Sequence, residues 1–190
     1  MALIHLADAS LTRSGASAPA LAGLAFSVPA GETLAVWGGN GSGKTTLAHW
    51  LAGWVPELLA ASTEGTATFD GMPLTGRRPA DWATDIQYVG STPASHLTGC
   101  AFSVAQEVAF GPENLGQSPD AIRQVVNTSL ALCDAGHLAH RHPASLSGGE
   151  TQRVVLAAAL AWLGPTIVER IKADVSTPQP AAGKRQGKSE

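Results

Sequence analysis

The chain has 190 residues, 44% of them hydrophobic, and a formal net charge of −3. This size and composition predict one domain with one core, and the slightly acidic balance argues against nucleic acid as a partner. The two cysteines, Cys100 and Cys133, are far apart in sequence, which indicates free thiols rather than a disulfide framework or a zinc site. The longest unbroken apolar run, Val154–Leu163, is too short to span a bilayer. We therefore expect any membrane association to depend on a partner.

Four segments, besides the run Leu34–Trp37 described below, have the alternation or apolar content of β-strands. Leu3–Leu11 alternates weakly and is predicted as an edge strand, and Leu24–Val28 alternates apolar and polar residues. Gly65–Phe69 is predicted as a strand followed by a turn at the Asp-Gly pair 70–71. Asp85–Val89 is predicted as another short strand.

Residues 38–46 carry the strongest motif, because they fit the phosphate-binding pattern G-x-x-x-x-G-K-[ST] at every fixed position. The apolar run Leu34–Trp37 before them predicts a buried strand, and Lys44–Gly53 predicts a helix, which is the context that this loop requires. A glycine-rich turn with a chance lysine is the alternative. The candidate nucleotide-binding residues are Gly38, Gly39, Asn40, Gly41, Ser42, Gly43, Lys44, Thr45 and Thr46.

The chemistry of this loop follows from its residue types. Glycines allow backbone N–H groups to turn towards phosphate oxygens, and a helix N-terminus adds a positive dipole at the same point. Lys44 is expected to reach the β- and γ-phosphates, and the Thr45 hydroxyl is expected to bind Mg²⁺. The sequence therefore predicts a nucleoside triphosphate site.

Two helices are predicted after the strands. Residues 103–116 predict a short amphipathic helix ended by a Gly-Pro pair. Ser118 then caps a second helix, with Pro119 at its first position. The apolar residues that this helix directs towards a core are Ile122, Val125, Val126, Leu130 and Leu132.

Three histidines follow, at positions 137, 140 and 142, with a spacing that metal ligation could use. No cysteine lies nearby and no carboxylate pattern matches them, so we interpret His137, His140 and His142 as part of a polar linker.

Residues 146–153, LSGGETQR, form the second motif. Ser147 is predicted to cap the helix that follows, and the glycines expose its first backbone N–H groups to an anion. A capped apolar helix without a further role is the alternative. The candidate residues are Leu146, Ser147, Gly148, Gly149 and Glu150.

The order of these motifs resembles the ABC-type ATPases, in which the LSGG signature lies about a hundred residues after the P-loop. Residues 103–116 resemble the segment after the Q-loop in energy-coupling-factor transporter ATPases, the group of cobalt, biotin and other vitamin importers. The resemblance implies an α/β P-loop NTPase fold with an N-terminal antiparallel β subdomain and a helical signature subdomain.

The resemblance also implies partners and cofactors. ATP and Mg²⁺ are expected at the interface of a head-to-tail dimer with a second ATP-binding subunit, identical or different, in which the signature helix contacts the γ-phosphate held by the opposite P-loop. Residues 103–116 are expected to dock on a membrane coupling subunit, and a separate substrate-binding membrane subunit selects the vitamin or metal ion. The implied location is peripheral, on the cytoplasmic side of the cell membrane.

Two positions depart from the family pattern. Arg13 stands where an aromatic residue usually stacks on adenine; a guanidinium plane also stacks on a base, with an altered base preference. Ser91 stands where the Q-loop glutamine is expected, and it is too short to reach Mg²⁺ and the attacking water together. Coupling and hydrolysis are therefore placed in doubt.

The third departure is larger. After the signature helix the family has an apolar strand ending in an aspartate–glutamate pair, whereas this chain has Glu169 without a preceding aspartate and Asp174 without a following glutamate. We assign neither of them a role and predict no catalytic residue. We expect residues 1–163 to form a partial ATP-binding domain with an incomplete core sheet, and 164–190 to be a divergent, largely disordered tail. A frameshift or early stop is the simplest explanation.

These observations predict an ATP-binding subunit of an ABC importer that hydrolyses ATP at background rate by itself. The alternatives are a non-hydrolysing nucleotide-binding or regulatory module, or a non-functional relic. A small-molecule kinase shares the P-loop but gives no reason for residues 146–153. Since the strands that flank the P-loop strand would be lost, we expect a chain of marginal stability.

Overall fold

The computed structural model describes residues 2–168 and residue 171. The chain, which the sequence predicts as one domain, divides into two compact units, Met1–His96 and Leu97–Glu190. Among the described residues, no helix combines the length and the hydropathy needed to cross a membrane.

The first unit is built on an antiparallel sheet of four strands in the order β2-β1-β3-β4. The strands are β1 (Ala2–Arg13), β2 (Leu21–Pro29), β3 (Ala61–Phe69) and β4 (Met72–Pro73). The prediction of an edge strand at Leu3–Leu11 is wrong, because β1 pairs with β2 on one side and with β3 on the other. The buried residues of β1 are Leu6, Ala9 and Leu11.

The other two strand predictions for this sheet are confirmed, and both strands are longer than predicted. β2 contains Leu24–Val28, and β3 contains Gly65–Phe69. The turn at Asp70 and Gly71 is also confirmed: both residues have positive φ, 46° and 75°, and the turn joins β3 to β4. Such a pair of left-handed residues is what a two-residue hairpin needs to match the twist of its strands.

The prediction of a buried strand at Leu34–Trp37 is wrong. Residues 32–39 have no regular secondary structure, and the exposed fractions of Leu34, Val36 and Trp37 are 47%, 48% and 89%. The strand predicted at Asp85–Val89 is absent as well. An apolar run becomes a strand only where another strand accepts its backbone hydrogen bonds, and no strand in the described residues pairs with either segment.

Helix α1 (Lys44–Leu51) follows the glycine-rich loop, close to the predicted range. Its buried residues Leu47 and Trp50 pack with β1 and β2 in the core of the first unit. This packing holds the start of the helix, and with it the loop, against the sheet.

The second unit is helical. Its α-helices are α2 (Val104–Asn114), α3 (Pro119–Leu132) and α4 (Gly148–Trp162), which pack on one another around a single apolar cluster. The predicted inward face of α3 is confirmed: three of its five residues are buried, and the other two, Ile122 and Leu132, are partly buried against the same cluster.

Helix α2 does not end at the Gly-Pro pair, contrary to the sequence prediction. Gly111 and Pro112 lie within it, and the helix continues to Asn114. A Cβ at Gly111 would lie 2.6 Å from the Trp162 indole of α4, so the glycine permits a close helix–helix contact. This packing outweighs the cost of one backbone hydrogen bond lost at the proline.

The segment after α4 begins as a helix. Residues 164–168 are helical, and Val168 is buried in the cluster of the second unit. Of the rest of the predicted tail the structure describes only residue 171, so Glu169 and Asp174 lie outside the described residues.

Candidate functional site

The glycine-rich loop closes around the amino group of Lys44. Lys44 Nζ donates hydrogen bonds to the carbonyl oxygens of Gly38 and Gly39, each at 2.7 Å, and lies 3.3 Å from Ser42 Oγ. Residues 38–42 are exposed, so the loop is open to solvent. The amino group is therefore held inside the loop, where it can meet an anion that enters from solvent.

Gly43 sets the junction between the loop and α1. It caps the helix with φ 89°, and a Cβ there would lie 2.7 Å from Leu21 Cδ2 and 2.9 Å from the carbonyl oxygen of Ala20. A residue other than glycine would be strained in this conformation and would collide with the start of β2. At Gly41 φ is 79°, but a Cβ would meet no atom within 4 Å.

The first turn of α1 presents polar groups to the same place. The backbone N–H groups that open an α-helix have no partner within the helix, and they favour anions. The exposed Thr45 hydroxyl has no hydrogen-bond partner in the described part of the chain. A free hydroxyl oxygen is a donor that Mg²⁺ accepts, so the residues present fit a phosphate group with its metal ion.

Thr46 is buried, and its hydroxyl accepts a hydrogen bond of 2.5 Å from Arg13 Nη2. Arg13 is the last residue of β1, so this bond ties the end of the central strand to the first turn of α1. Both residues line a pocket of about 230 Å³ together with His49. Burial first, and then the charge of Arg13, lower the pKa of the His49 imidazole.

In the second unit, Ser147 caps α4 as the sequence predicts. The Ser147 hydroxyl accepts from the N–H of Glu150, and the Glu150 carboxylate accepts from the N–H of Ser147 at 2.7 Å, which makes a capping box. Gly148 and Gly149 are exposed, with open space where a Cβ would be, and Leu146 packs against the core cluster. The helix start is thus rigid and accessible.

Arg141 is a residue of this region that motif reasoning missed. Its guanidinium donates to Glu150 Oε1 at 2.7 Å and to the carbonyl oxygen of Ser145 at 2.6 Å. The hydrogen bonds from Ser147, and after them the charge of Arg141, lower the pKa of the Glu150 carboxyl. The two residues lie nine positions apart on either side of a loop, so no periodic pattern indicates the pair.

The backbone of Arg141 also contacts the predicted coupling segment. Its carbonyl oxygen accepts from the N–H of Val104, and that of Ala139 accepts from Ala105. Ser103 caps α2 in a box with Gln106. Within this unit, the start of α2 and the start of α4 are thus joined through one arginine.

Glu107 fixes the loop that precedes α2. It is buried, and its two carboxylate oxygens accept from the backbone N–H and the hydroxyl of Thr98, at 2.7 and 2.8 Å. A buried carboxylate needs such partners. Glu107 therefore has a structural role within the coupling segment.

The structure places the two candidate motifs in different units: residues 38–46 belong to the first, and residues 146–153 to the second. Ser91, at the position expected for the Q-loop glutamine, is exposed in the first unit.

Of the three histidines that follow α3, His142 has a hydrogen bond within its own loop: its Nδ1 accepts from the N–H of Ala144. In the described residues no three His, Cys, Asp or Glu side chains are grouped as a metal site.

Comparisons with known proteins identify the family of the chain. The family model "ABC transporter" matches residues 21–167. The energy-coupling factor transporter ATP-binding protein EcfA1 of Levilactobacillus brevis is 40% identical over 151 residues, which cover 80% of this chain and 51% of that protein. A putative ABC transporter ATP-binding protein of Streptomyces avermitilis is 34% identical over 158 residues, covering 83% of this chain and 28% of the relative.

Among solved structures, cbiO1 from Clostridium perfringens, described as part of the ABC transporter complex cbiONQ, superposes with a TM-score of 0.73 at 28% identity. The match covers 92% of this chain and 72% of that one. The chain spans only 28% and 51% of the lengths of the two curated relatives above.

Proposed function

The chain belongs to the ABC transporter family, and from that premise we propose that it is an ATP-binding subunit of an importer of the energy-coupling-factor type. MgATP would bind at residues 38–46, with Lys44 at the β- and γ-phosphates and Thr45 at Mg²⁺. The observation that carries the proposal is the Lys44 amino group, held by the carbonyl oxygens of Gly38 and Gly39 inside a loop that is open to solvent.

The signature residues support a second contact in a dimer. Ser147, Gly148 and Gly149 present the exposed start of α4, where unpaired N–H groups favour a phosphate. We propose that they meet the γ-phosphate held by the P-loop of a second ATP-binding subunit, arranged head to tail. That subunit is either a second copy of this chain or a different protein.

The remaining partners follow from the relatives. The solved relative is described as part of a transporter complex, and we propose that residues 103–116 dock on a membrane coupling subunit, with a further membrane subunit selecting a vitamin or metal ion. The chain would then be peripheral, on the cytoplasmic side of the membrane.

A second candidate function is a nucleotide-binding module that does not hydrolyse ATP. It is favoured by Ser91 at the Q-loop position and by the sequence after residue 163, in which Glu169 and Asp174 do not form the aspartate–glutamate pair. Mg²⁺ supplies charge neutralisation at the phosphates, but no residue here is assigned as the general base. ATP turnover measured with and without a complete homologue separates the two candidates.

The nucleotide site is tested by titrating a fluorescent ATP analogue, with Mg²⁺, into the wild-type chain and into Lys44→Ala. We expect the substitution to abolish binding, because it removes the main point charge at the phosphates. Arg123→Ala is the matched control, since it removes an exposed cation from α3 in the other unit. Equal affinities of wild type and Lys44→Ala would contradict the assignment of the P-loop.

A further inference from the structure

Arg13 is fixed beside the start of α1 rather than free at the end of its strand. Its backbone pairs with Ala61 of β3, and its Nη2 donates to Thr46 Oγ1 at 2.5 Å. Thr46 is the third residue of α1 and is only 4% exposed. The guanidinium is therefore held at the first turn of the helix that follows the P-loop.

The positive charge of Arg13 has no carboxylate partner among the described residues. Other described arginines are compensated in ion pairs, namely Arg78, Arg123, Arg141 and Arg153, and Arg77 lies over the Trp82 ring. The hydrogen-bond partner of Arg13 is instead the uncharged hydroxyl group of Thr46. Lys44, in the same helical turn, is bonded to uncharged oxygens, and this turn contains no acidic residue.

Arg13 is exposed, so water can solvate its charge, but the arrangement favours an anion at this end of the helix. The N-terminal end of a helix is positive and repels cations, yet two cations lie at the first turn of α1. The charge of Arg13 also contributes to lowering the pKa of His49, one turn further along. A ligand with several negative charges, such as a triphosphate, would compensate both side chains and the helix dipole together.

We propose that Arg13 binds the phosphate chain of the nucleotide and not its base, so that the site selects triphosphates with little discrimination between bases. The inference rests on the nucleotide site proposed above for residues 38–46. It gives Arg13 a different task from the adenine-stacking aromatic residue that the family resemblance implies at this position. Arginine suits this task because its planar fork of donors matches phosphate oxygens.

The test is isothermal titration of the wild-type chain, Arg13→Ala and Arg13→Gln with MgATP, MgGTP and magnesium tripolyphosphate. We expect the wild type to bind all three, and both variants to lose about tenfold in affinity for each ligand, because a hydrogen bond to a charged group is removed. Arg13→Gln keeps an N–H donor for Thr46 without the charge, so it separates the phosphate contact from a fault in folding. Arg78→Ala, an exposed cation of the same unit, is expected to leave all three affinities unchanged.

Other results would overturn the inference. A loss for ATP and GTP without a loss for tripolyphosphate would place Arg13 at the base or ribose, and a loss for GTP alone would indicate recognition of guanine. Unchanged affinities for all three ligands would remove Arg13 from the site. If the wild type binds none of the three, the proposed nucleotide site fails and the inference fails with it, whereas the preceding results leave that site intact.

Discussion

The P-loop in the first unit and the signature segment in the second are held in place by different kinds of interaction. The signature opens α4, whose Val154, Ala157 and Ala161 are fully buried in the helical core. The P-loop instead follows an exposed segment without regular secondary structure, residues 32–37. It keeps its shape through bonds from Lys44 to its own carbonyl oxygens.

This difference indicates which parts of a nucleotide site depend on contacts with distant parts of the fold. A phosphate-binding loop is shaped by nearby residues, since glycine conformations, a helix start and one lysine lie within nine positions of each other. The strand before it depends on neighbouring strands, because an unpaired strand leaves backbone groups without partners. The P-loop therefore keeps its local geometry although no strand in the described residues pairs with the segment before it.

The largest effect is expected from loosening the core that holds the signature helix. Leu130 is fully buried between the helices of the second unit. We expect Leu130→Ala to destabilise this unit by about 2–5 kcal/mol through lost burial and a cavity. Hydrogen exchange followed by mass spectrometry should show reduced protection throughout α2, α3 and α4.

The matched control for this prediction is Leu156→Ala on α4, where the leucine is 41% exposed and the helix propensity hardly changes. Protection in the first unit should stay at its wild-type level in both variants, because that unit has its own core. Equal losses in both units after Leu130→Ala would show that the signature and the P-loop depend on the same core.

A smaller effect is expected at the P-loop itself. Gly43→Ala forces a side chain into a left-handed conformation and against Leu21 and the Ala20 carbonyl group, and we expect a cost of about 1–3 kcal/mol. Gly41→Ala has a similar φ but open space, so it should cost about 1 kcal/mol. Urea unfolding of both variants measures the difference. Equal midpoints would contradict the close contact between this loop and β2.

The sequence predicted what depends on neighbouring residues. The two capped helices that begin after Ser118 and Ser147 were predicted with their N-termini, since capping is a local interaction. The strands predicted at 34–37 and 85–89 were wrong, because pairing is decided by distant segments that apolar content does not reveal. At the candidate site the motif residues were predicted, but the contacts of Arg13 with Thr46 and of Arg141 with Glu150 were not. The first joins residues 33 positions apart with β2 between them, and the second joins residues nine positions apart across the loop before α4.

The smallest effect is expected for the exposed segment before the P-loop, at Trp37. Its side chain is 89% exposed, so Trp37→Ser removes almost no packing, and we expect the free energy of unfolding in urea to change by less than about 0.5 kcal/mol. Trp50→Ser is the matched contrast, since Trp50 is fully buried in the same unit and its loss should cost about 3–5 kcal/mol. A loss above about 2 kcal/mol for Trp37→Ser would mean that residues 34–37 are packed as the strand that the sequence alone predicts. In that case the segment before the P-loop would be packed in a core, and the contrast between the two units would be wrong.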